Sequence, residues 1–164
     1  PLYSSAASDV YKRQSIYNQA WPDGIFMIDF IGQGDPAKKS NWLVQKNLFK
    51  LSGGYQTALY SICTYNVNAI QNIITGQSYY ALVLDGDDSG WDMKFNDFSN
   101  YESEWADIVL GYGTSNNKVI CETANTSVAD YGTDNVIKGP AERGKVIDIS
   151  KYNKSEKLHH IFRQ

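Results

Sequence analysis

The run YYALVLDGDDSGWD at residues 79–92 is apolar and β-prone, then stops in four carboxylates and two glycines within eight residues. GIFMIDFIG at 24–32 has the same character and breaks at Gly34, Asp35 and Pro36. A short continuous apolar run bounded by turn residues reads as a strand buried on both faces, the habit of parallel sheets. Any fold for this chain must cover both sides of these strands.

The segments between them read as helices. From Ser40, NWLVQKNLFKL has an N-cap candidate, Val44, Leu48 and Leu51 at helical spacing, and Gly53-Gly54 as a stop; an alternating strand is the competing reading. Between Thr57 and Thr75, Leu59, Ile62, Cys63, Ile70, Ile73 and Ile74 share one face at a period of 3.6, and Gly76 ends the run. Helix is expected over Asn68 to Thr75, while the first half also fits strand or loop. FSNYESEWADIVLGYG opens with a capping box, Ser99 and Glu102, followed by Tyr101, Trp105, Ile108 and Val109 at helical spacing. A strand over Ala106 to Leu110 competes there. Lys118 to Glu122 and Lys145 to Ile149 complete the apolar runs, and no internal repeat stands out. Buried strands alternating with helical segments predict an α/β fold with a largely parallel sheet.

At 164 residues the chain is sized for one domain. A formal charge of −3 with scattered Lys and Arg provides no basic face for a phosphate backbone, so nucleic acid is not an expected partner. No apolar run approaches the roughly 20 residues of a membrane span, and no signal peptide opens the chain; a cytoplasmic protein is the default expectation. Cys63 and Cys121 lie in separate apolar segments without metal-ligand spacing and are expected to be buried free thiols. Residues 1–14, PLYSSAASDVYKRQ, resemble a translated sequencing-library adapter. They are set aside as non-native, leaving 15–164 as a single domain whose first element is expected to be missing.

In an open parallel sheet, ligands sit beyond the C-terminal strand ends, which is where the acidic cluster falls. Asp85 closes a strand, and Asp87 and Asp88 start the loop. Two carboxylates one residue apart can share a crevice in which Mg²⁺ or Mn²⁺ relieves their repulsion and holds a substrate diphosphate. A solvated Asp/Gly turn is the plain alternative. The opening D-x-D-x-S-G also fits a calcium loop, but Asn96 stands where an EF-hand has its bidentate Glu.

With its neighbours, the cluster is similar to family 2 glycosyltransferases. That resemblance rests on AIQNIITG (69–76) before YALVLDGDD (80–88), on SIYNQAWPDGIFMID (15–29) upstream and on ADIVLGYG (106–113) downstream. It implies a Rossmann-like α/β fold, a mostly parallel sheet flanked by helices and incomplete at the N-terminus. It also implies sugar transfer from a nucleotide-diphospho-sugar donor to an acceptor hydroxyl on a glycan, lipid or protein, in the cytoplasm or at the inner face of a bacterial membrane. Asp85 and Asp87 would be the metal and donor pair, and Asp29 would face the nucleotide base. The family's D-D-G-S is replaced by Asp29-Phe30-Ile31-Gly32, and neither its E-D nor its Q-x-x-R-W motif is present, so no catalytic base is assigned. Trp91 is the aromatic best placed to stack on a sugar. The competing reading is a non-catalytic secreted or phage-surface binding domain, an antiparallel sandwich whose acidic loop binds calcium or is simply solvated.

Overall fold

A computed structural model describes residues 10–12, 15–17, 25–31, 41–54, 56–121 and 125–139. Thirteen strands occur among them and no helix. In chain order they are β1 (Val10–Lys12), β2 (Ser15–Tyr17), β3 (Ile25–Ile31), β4 (Leu43–Gln45), β5 (Leu48–Ser52), β6 (Gln56–Ile62), β7 (Asn68–Ile70), β8 (Ile73–Asp85), β9 (Asp92–Lys94), β10 (Asp97–Leu110), β11 (Lys118–Ile120), β12 (Val128–Asp130) and β13 (Val136–Lys138). All pairings among these strands are parallel.

Parallel neighbours joined without helices require the chain to circle back one rung at a time. It does so as a parallel β-solenoid. The first sheet runs β1-β4-β7-β9-β11-β13. The other seven strands form one sheet that bends around a corner, because β8 and β10 pass through both halves. Their first halves lie beside β5, and their second halves lie with β6 on one side and β12 on the other. Equivalent positions Leu43, Asn68, Asp92, Lys118 and Val136 fall at steps of 25, 24, 26 and 18 residues.

Stacking in register makes each interior position a column. Val44, Ala69, Met93 and Val119 form one, and Leu59, Leu82, Ile108 and Val128 another, all at most 1–2 % exposed. Removing a Val, Leu, Ile or Met side chain from water stabilises by about 1.5–3 kcal/mol, so every added coil extends the same core. The alternate positions Val83, Val109 and Ala129 face outward, yet they too are buried, in a second cluster with Tyr80 and Ala106. Both faces of these strands are thus covered.

The corner between the first and second faces is made by one residue in the left-handed region, at Lys46 (φ 58°), Gln71 (φ 55°) and Phe95 (φ 60°). A buried asparagine follows each. Asn72 Oδ1 accepts from the backbone N–H and Nδ2 of Asn47, both at 3.1 Å, and Asn96 Oδ1 accepts the equivalent pair from Asn72 at 3.0 Å. Asn72 Nδ2 also donates to the Val44 carbonyl, and Asn96 Nδ2 to that of Ala69. The ladder satisfies corner backbone groups that the strands cannot reach. A second, shorter ladder of Asn117 and Asn135 serves another corner.

The Rossmann-like α/β expectation is therefore corrected. Asn68 to Thr75, read as helix, is β7, the Gln71 corner, the Asn72 rung and the start of β8. The segment after Ser40 contains β4 and β5, and the capping-box segment lies in β10, where Ser99 and Glu102 are exposed. In the first two of these segments a single left-handed residue, Gln71 or Lys46, shifts the phase of two alternating strands and mimics helical spacing; in β10 the pairing register shifts between Asp97 and Asn100 and between Ser103 and Ala106. The antiparallel sandwich is not found either, and the solenoid overrides the reading that no repeat is present.

The acidic corner as a candidate functional site

Asp85 ends β8 on the outward side, two residues beyond Val83, and is only 8 % exposed. Its Oδ2 accepts from the Tyr60 hydroxyl at 3.2 Å, and its Oδ1 from the Gly86 N–H at 2.7 Å. Gly111 lies one coil further on, where a Cβ would come within 2.9 Å of the Leu84 carbonyl and 3.0 Å of Asp85 Oδ1. Glycine there lets the carboxylate lie flat against the next rung. Burial raises the Asp85 pKa above the usual carboxylate value, with the Gly86 and Tyr60 hydrogen bonds opposing it.

Asp88 turns the other way. It has no exposed surface, and its Oδ1 accepts from both the backbone N–H and the hydroxyl of Thr64, one coil back. Its Oδ2 accepts from the Asp85 N–H at 3.1 Å. The Asp88 carbonyl accepts from Asn117 Nδ2 and the Ser115 N–H on the following coil. One residue thus ties three coils together. The Thr64 hydroxyl gives its single proton to Asp88 and receives the Trp91 indole N–H at 3.0 Å, with Ser61 Oγ 2.6 Å away. A hydroxyl has one donor and two acceptor sites, so the Thr64 oxygen is engaged with Asp88, Trp91 and Ser61 together. Burial pushes the Asp88 carboxyl up to about 6, with the Thr64, Ser61 and Asp85 hydrogen bonds holding it from rising further.

The residues expected to act together do not meet in the expected way. Asp29 is on β3 and Asp85 on β8, with β6 between them; Asp29 pairs with Tyr60, which is level with Val83. The two are parallel but one strand apart and two residues out of step. Asp87 is exposed, whereas Asp85 is committed to Tyr60 and its own turn. No group of three or more His, Cys, Asp or Glu placed to hold a metal occurs among the described residues. Trp91 is 1 % exposed and bonded to Thr64, so it is a core residue and not a stacking platform. Cys63 and Cys121 are both free thiols, the first half-buried and the second buried.

The residues missed from the sequence are Thr64 and the ladder Asn47, Asn72 and Asn96. The asparagine spacings, 25 and 24 residues, were the available signal.

No family model, curated protein or solved structure matches the chain. With that result and a helix-free solenoid, the resemblance to family 2 glycosyltransferases is overturned. Among the described residues, no helix is long and apolar enough to cross a membrane.

Proposed function

We propose that this chain is a non-catalytic binding module of a secreted or phage-surface protein, presenting the outer side of its first sheet to an extended polymer such as a surface glycan. The supporting observation is how the side chains are divided. The acidic corner uses Asp85, Asp88, Thr64 and Trp91 to bond coil to coil. The first sheet instead carries two regular outward columns, Leu43-Asn68-Asp92-Lys118-Val136 and Gln45-Ile70-Lys94-Ile120-Lys138, all half-buried or exposed.

Neighbouring rungs are about 4.8 Å apart, so amide, charged and aliphatic groups recur along a flat surface at the scale of a polymer repeat. Such a surface makes many weak contacts and requires no pocket. The acidic loop is then a structural turn, in which Asp87 is exposed while Asp85 and Asp88 are buried. Nucleotide-sugar transfer followed from the Rossmann-like resemblance and is not proposed without that fold.

The test is immobilised-polysaccharide binding by the purified chain, compared with Ile120→Asp, with chain length of the glycan measured before and after. Retention of an uncleaved glycan, lost in the variant while its β circular dichroism is kept, is the expected result. Cleavage or elongation of the glycan, equal binding by the variant, or no retention across the panel by the folded chain would reject the proposal.

A further inference from the structure

We draw no further inference here: the strongest candidate, the apolar outer face of the bent sheet around Val83, Val109 and Ala129, is already covered by the chain's own Tyr60, Tyr79, Trp105 and Tyr131 and leaves no open surface to assign.

Discussion

The carboxylate of Asp88 takes both the backbone N–H and the hydroxyl of Thr64, a residue one full coil earlier. Asp88→Ala removes the acceptor for these groups and for the Asp85 N–H, all in a buried setting. A hydrogen bond to a charged group contributes about 1.5–3 kcal/mol, and abandoning a buried donor costs a similar amount. The relaxed cost of desolvating the carboxylate offsets part of this, so a net loss of about 2–4 kcal/mol is expected. Urea unfolding should show a lower midpoint. Asp88→Asn should lose less, because its amide oxygen still serves Thr64 while its NH₂ is left facing the Asp85 N–H.

Stability should rise on mild acidification. The carboxyls of Asp85, Asp88 and Asp107 are all raised by burial, Asp88 to about 6. A raised folded-state value means the native chain holds more protons than the unfolded chain between the two values. The contribution is fully present below about pH 4 and is lost as pH rises through the folded value, at up to about 1.4 kcal/mol per pH unit for each group. Thermal melting between pH 4.5 and 7.5 should therefore give the higher midpoint at the acidic end, and Asp88→Asn should flatten the slope. A midpoint that climbs steadily toward pH 7.5 would contradict this account.

Asn72 is the middle rung of its ladder and makes more bonds than either neighbour's side chain can replace. Asn72→Ala takes the acceptor from Asn47 and the donor from the Val44 carbonyl. With buried polar groups costing about 1–3 kcal/mol each when unsatisfied, the expected loss is about 3 kcal/mol or more. Asn72→Asp should be no better. Its carboxylate cannot donate to Val44, and it faces Asn96 Oδ1. Chemical denaturation of the two variants beside the parent decides this.

Divalent cations should leave the fold unmoved. Both oxygens of Asp88 face N–H or O–H donors, and Asp85 is held by Tyr60 and Gly86. Only Asp87 of the original cluster is exposed, and hard cations need several oxygen ligands. The expected outcome is the same melting midpoint in EDTA and in millimolar Ca²⁺, Mg²⁺ or Mn²⁺, for the parent and for Asp87→Ala. A cation-specific increase lost in the variant would restore the metal reading.

The strands were largely legible, and their assembly was not. The apolar runs GIFMIDFIG and YYALVLD announce β3 and the second half of β8, and both strands pair in parallel with β6 as a buried apolar strand predicts. Two-sided burial does not require helices outside. Here the inner face of YYALVLD lines the solenoid, and its outer face lies in the cluster of Val83, Val109 and Ala129. Two of the helical readings failed at Lys46 and Gln71, where one left-handed residue changes which alternate positions face inward, while the capping-box segment lies in β10. The repeat was hidden because its steps vary from 26 to 18 residues and its interior columns ask only for apolar volume. At the acidic corner, the sequence showed carboxylates but not their directions. Asp88 turning inward to Thr64 depends on a coil closure that no local pattern contains.

Two glycine exchanges should act in opposite directions. Lys46 is exposed and sits at φ 58°, a conformation that costs an ordinary L-residue roughly 1–2 kcal/mol and glycine almost nothing. Glycine's greater freedom in the unfolded chain returns part of that gain. Lys46→Gly should therefore stabilise modestly, by about 0.5–1 kcal/mol, and Lys46→Asn should also help. Gly76 has φ 93°, and a Cβ there would lie 1.9 Å from the Leu51 carbonyl oxygen, in the backbone of the adjacent rung. Gly76→Ala cannot be absorbed by turning a side chain; β8 must separate from β5, with a loss beyond the usual 0.5–3 kcal/mol of point changes. Differential scanning calorimetry of both variants should show a raised midpoint for the first and a collapsed or absent transition for the second. Equal behaviour would mean that the corner at Lys46 and the bend at Gly76 are not the conformations the chain adopts.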